Sequence, residues 1–193
     1  MGYSHTFYAL DIAKLQKAVG SKDDAMLANI LKAKANNITE NDEFFEDEIE
    51  HGELPPTAEV IRQILYDECS RDVDGATYGY SLGIICDYLG QPITSSGHGI
   101  YNVGDHPYEE KLSQSQLPVR IPKPGDFPEI GHLTAEQVQA EIEVAQKYID
   151  SDDRPENKWS QMSDEELENE VMEYLEILSA VKEMSAGLVS FRH

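Results

Sequence analysis

The run TYGYSLGIICDYLG, residues 77–90, constrains the fold more than any other stretch of the chain. Within it, Gly79-Tyr80-Ser81-Leu82-Gly83 matches the G-x-S-x-G nucleophile elbow, which demands a buried strand, a sharp turn and a helix. The same residues also spell a buried helix. Tyr78, Leu82, Ile85 and Leu89 fall at i, i+4, i+7 and i+11, the spacing of one apolar helical face. Upstream stands the polar turn RDVDGAT rather than a β-branched run. The helix is therefore the better reading, with Thr77 as its cap and Gly90 as its stop. Ser81 is then a core residue. Two glycines inside a helix each cost about 1 kcal/mol relative to alanine. Gly79 and Gly83 are expected to admit a close neighbour, and a larger residue at Gly83 to lower stability.

The same periodicity recurs along the chain. Ile12, Leu15 and Val19 mark a short helix behind Asp11, ended by Gly20 at a left-handed stop. Ser21 to Asp24 resembles a capping box opening a helix to about Ala35. Val60, Ile61, Ile64 and Leu65 form a core face behind Thr57, read as that helix's cap. Thr134 with Gln137, and Ser163 with Glu166, are capping boxes. The first precedes the stripe Val138, Ile142, Ala145, Ile149, and the second precedes Leu167, Val171, Tyr174, Leu178, Val181. Trp159, between them, is expected to tuck into the core. Residues 91–131, rich in glycine and proline, read as long loops with one short strand, LPVRI. Both ends read as strands, YSHTFYAL and LVSFRH, and terminal strands persist best when paired with each other. The expected architecture is α+β: one mostly helical domain over 1–193, with a small sheet that includes the N- and C-terminal strands.

Charge separates the function classes. The chain carries 37 acidic against 15 basic residues, a formal charge of −22. A field of that sign repels phosphate, which argues against nucleic acid and anionic membrane and favours a basic protein. The acidity peaks in an expected loop or insertion at about 36–56, which contains no Lys or Arg. Phe44, Phe45 and Ile49 could dock a short helix there, leaving Glu43, Glu46, Asp47, Glu48 and Glu50 facing water as a partner-binding surface. The N-terminus lacks the basic and apolar segments of a signal peptide. No window reaches the roughly 18 apolar residues of a membrane span. Cys69 and Cys86 have neither redox nor zinc-finger spacing and read as reduced, buried residues of a cytoplasmic protein.

Chemical motifs are sparse. P-loop and dinucleotide fingerprints are absent from the sequence, so no cofactor is expected. His98, Asp105 and His106 cluster in a glycine-rich loop that could offer metal ligands, although their spacing fits an ordinary surface loop. The enzymatic alternative is a small serine hydrolase or metal-dependent enzyme using Ser81 or the His98/His106 loop. A homo-oligomeric scaffold is a third reading.

GSKDD, TYGYSLGIICDYLG, IPKPGDFPEIGHLTAEQV and the closing helix with GLVSFRH together resemble an uncharacterised bacterial family. The second half also resembles the YfbM-like group of small bacterial proteins. The resemblance implies an α+β fold and a cytoplasmic bacterial setting, and it transfers no active-site residue. By analogy with small acidic proteins of this kind, it suggests an immunity-type inhibitor of a basic toxin.

Overall fold

The computed structural model describes residues 5–93, 112, 117, 119–150 and 163–193. Its centre is a four-stranded antiparallel sheet in the order β2-β1-β4-β3. The strands are β1 (His5–Leu10), β2 (Gln91–Ile93), β3 (Glu129–Leu133) and β4 (Gly187–Arg192). The two terminal strands pair directly, His5 opposite Arg192 and Leu10 opposite Gly187. The α+β expectation holds, including the pairing of the chain ends.

Helices cover both faces of this sheet. On one side lie α1 (Ile12–Ala18), α2 (Asp24–Ala33), α3 (Ala35–Phe44), α4 (Glu46–Glu50), α5 (Thr57–Tyr66) and α6 (Gly75–Leu89). On the other lie α7 (Ala135–Ile149) and α8 (Asp164–Glu183). Successive side chains of a strand point to opposite faces, so β1, β3 and β4 each feed two cores. Leu10, Val189 and Phe191 join Leu15, Ile61, Leu82 and Ile85 on the first side. Phe7, Ala9 and Leu188 join Val138, Val171 and Leu178 on the second. A sheet covered on both sides explains why β4 is buried at five of its six positions and does not alternate cleanly.

Local chemistry sets most element ends. Both capping boxes form, at Thr134/Gln137 and Ser163/Glu166. Asp11 accepts from the amides of Ala13 and Lys14, and Gly20 turns the chain at φ 73°. Some caps differ from the sequence reading. Asp23, not Ser21, caps α2 by accepting from the Met26 amide, and α2 ends at Ala33. α6 begins at Gly75, capped by Asp74, because an aspartate in extended backbone satisfies the first free amide before Thr77 is reached. Thr77 is buried inside the helix. Thr57 is the first helical residue of α5, and its amide is satisfied from outside, by Asp42 of α3 at 2.7 Å.

Two larger differences concern segments read as loops. Residues 35–44 and 46–50 are helical, forming α3 and α4, two helices where the sequence reading allows one short docked helix within a loop or insertion. Asn, Thr and Asp are weak helix formers, and tertiary contacts supply what propensity lacks. Ile38 enters the first core, and Asn41 donates to Thr57 Oγ1 at 2.8 Å. The expected strand LPVRI is not one, since Leu117 and residues 119–121 carry no strand. The sheet takes EIGHL at 129–133 instead, paired with β4. There Gly131 is required: a Cβ would collide with the Leu112 backbone carbonyl. Trp159 lies outside the described residues.

Candidate functional site

Ser81 lies in the middle of α6, fully buried, and its hydroxyl has no hydrogen-bond partner among the described residues. A nucleophile elbow would raise the serine on a strand-to-helix turn beside an imidazole. Here the pentapeptide runs inside a helix of residues 75–89, and the elbow geometry is absent. Its glycines serve packing. A Cβ at Gly79 would meet the Pro128 ring at 2.8 Å, whereas one at Gly83 would find only ordinary contact, 3.8 Å from Phe191. The tight approach is thus at Gly79, and the expectation of a strict size limit at Gly83 is corrected.

Among the described residues no group of three or more His, Cys, Asp or Glu side chains could hold a metal ion. His98, Asp105 and His106 lie outside the described residues. Burial pushes the Cys86 thiol well above its usual range. Burial, and then Asp67, push Cys69 up to about 11. Neither is a thiolate nucleophile at neutral pH.

A pocket of about 270 Å³ lies among the described residues between α3, α6 and the sheet. Its construction follows from helical and strand periods. α3 contributes Asn37, Glu40, Asn41 and Phe44, and α6 contributes Tyr80, Gly83, Ile84 and Asp87. Both sets fall at i, i+3, i+4 and i+7, one stripe on each helix. β1 adds Thr6 and Tyr8, and the end of the chain adds Phe191 and His193, each pair two residues apart on one sheet face. Without a side chain, Gly83 leaves the space between the stripes open.

Aromatic rings line the rim in series. Phe45 meets Phe44 edge-on at 4.8 Å, Phe44 lies 5.4 Å from Tyr80, and Tyr80 stacks on His193 at 5.3 Å. Phe45 is buried while Phe44 is 67% exposed, so of the three expected anchors Phe45 docks, Ile49 is half-buried and Phe44 faces outward. Burial holds the His193 imidazole below its ordinary pKa, and it is neutral at pH 7. The Tyr80 phenol is raised by burial and then by Asp126. Tyr8 is raised by burial, then by Asp87 and Cys86. Lys34 neutralises Asp87 at 2.7 Å. Glu40 has no ion-pair partner among the described residues, so it supplies the pocket's net negative charge.

The expected partner-binding carboxylates lie beside this pocket in the chain. Glu43 ends the α3 stripe region, and Glu46, Asp47, Glu48 and Glu50 belong to α4. All five side chains are exposed. The sequence reading missed the pocket residues themselves, because it followed the buried stripe of α6 and ignored the opposite one. The usable signal was an aromatic and a carboxylate, Tyr80 and Asp87, set i, i+7 on an otherwise apolar helix.

No helix of the described residues is long and apolar enough to cross a membrane. These features define an α+β protein whose sheet is wrapped by helices, with an aromatic-edged pocket between α3 and α6. The chain belongs to the family described as a domain of unknown function (DUF7691), which matches residues 1–193. No curated protein and no solved structure matches it, and nothing links it to the YfbM-like group.

Proposed function

We propose that this chain is a non-enzymatic interaction module whose acidic helices receive a basic protein. The observation that carries the reading is the exposure of all five carboxylates, Glu43, Glu46, Asp47, Glu48 and Glu50, in a segment without a single Lys or Arg from 35 to 56. Like charges this dense repel one another, and an oppositely charged partner relieves that repulsion while accelerating its own arrival. The finer form of the proposal is a cytoplasmic bacterial protein acting as an inhibitor of immunity type. It rests on the motif resemblance to an uncharacterised bacterial family and on the charge.

The test is affinity capture from the native cell at about 20 mM and about 500 mM salt, spanning strong and weak screening, with a Glu46→Lys, Glu48→Lys, Glu50→Lys variant alongside. A basic protein held by the wild type at low salt, released at high salt and lost by the variant supports the reading. Capture unaffected by the variant, or no basic protein at either salt, ends it.

A further inference from the structure

We propose that the pocket between α3 and α6 receives one arginine side chain of the basic partner, an assignment that rests on the interaction reading above. Size is the first argument. About 270 Å³ falls just below the clefts of roughly 300–1,000 Å³ that enclose drug-sized ligands, and it suits a single extended side chain.

Charge is the second. Of the ionisable lining groups, His193 is neutral at pH 7 because burial depresses it, and Asp87 is already paired with Lys34. Glu40 is left as the charge that a ligand meets. An anion is therefore disfavoured and a cation is attracted.

Surface chemistry is the third. Phe44 offers an exposed ring, and Tyr80 stands 5.4 Å from it. A cation over an aromatic face gains attraction from the ring quadrupole. Glu40 and Phe44 are i, i+4 on α3 and so share one face of the helix. A planar guanidinium can lie on the ring and face the carboxylate together, which a lysine ammonium cannot do as well. Gly83 keeps the path to the floor open, and the carboxylates of α4 gather the rest of a basic segment.

Two peptides test this against the intact chain: a lysine-rich one with a single central arginine, and the same peptide with citrulline there. Citrulline keeps the shape and removes the charge. The expected result is tighter binding of the arginine peptide, with backbone amide shifts in NMR concentrated at Glu40, Phe44, Tyr80 and Gly83. Phe44→Ala weakens that peptide roughly two- to fivefold, the size of an exposed cation–π contact, and Glu40→Gln abolishes its advantage over citrulline. Both side chains are exposed, so these variants are expected to keep the wild-type melting temperature, which serves as the folding control. Peptides that lose affinity on charge reversal of Glu46, Glu48 and Glu50, yet show no preference for arginine, overturn the pocket assignment and leave the acidic-face reading standing. Binding of neither peptide at low salt overturns both.

Discussion

Ser81 and His5 are polar side chains placed where water is scarce, and each has a measurable consequence. The Ser81 hydroxyl is buried without a partner among the described residues. A buried polar group lacking a hydrogen bond is destabilising by about 1–3 kcal/mol. Ser81→Ala should then leave the urea midpoint unchanged or raise it. A fall in unfolding free energy of more than about 1 kcal/mol would mean that the hydroxyl has a structural role. His5 stacks on Phe7 at 5.7 Å. Burial first, then the charge of Arg192 and the ring of His193, hold its pKa down at about 4. Below the ordinary value of 6.5 the unfolded chain takes up a proton that the folded chain refuses, so stability is intact at neutral pH and is lost on acidification from 6.5 towards 4. At pH 5 that loss amounts to about 2 kcal/mol. Unfolding free energies from urea melts of wild type and His5→Asn should diverge by that much between pH 7 and pH 5, and parallel profiles would remove His5 as the cause.

At the scale of elements, α6 shows how two glycines in one helix carry different constraints. Gly79 is pressed by the rings of Pro128 and Pro124, which have no flexible end to move aside. Gly79→Ala should cost about 1–3 kcal/mol through overpacking. Gly83→Ala has room for its methyl and should gain up to about 1 kcal/mol from helix propensity. Denaturation midpoints moving in the same direction for both would contradict this difference. What the sequence made legible follows the same division between local and distant causes. The capping boxes at Thr134 and Ser163, and the stripes behind them, depend on neighbours within one or two turns, and they form as read. α3 was illegible because Asn36, Asn37 and Asn41 are weak helix formers, and its support comes from the start of α5. β3 was illegible because EIGHL has little β-branched character, and its pairing with β4 joins residues far apart in the chain. The pocket needed still more. Its stripes lie on helices whose facing depends on strands from the two ends of the sequence. The five carboxylates were legible as a charge run expected to face water, and all five are exposed.

Over the whole molecule, the charge of −22 is a load as well as a lure. Self-repulsion opposes compaction and weakens as salt screens it. The screening length shrinks from about 30 Å at 10 mM to about 8 Å at 150 mM salt. The melting temperature should climb across that range, by about 2–4 °C for each kcal/mol of repulsion relieved. A flat or falling profile would show that the carboxylates are already compensated within the fold.

The placement of β4 also carries a kinetic consequence. It is an interior strand, flanked by β1 and β3, yet it is made from residues 187–192. During synthesis the first strand must wait, its hydrogen-bonding edge unmet on that side, until residues 187–192 have left the ribosome. Closing so wide a loop is slow, which leaves this nascent chain dependent on its own negative charge, or on a chaperone, to stay apart from its neighbours.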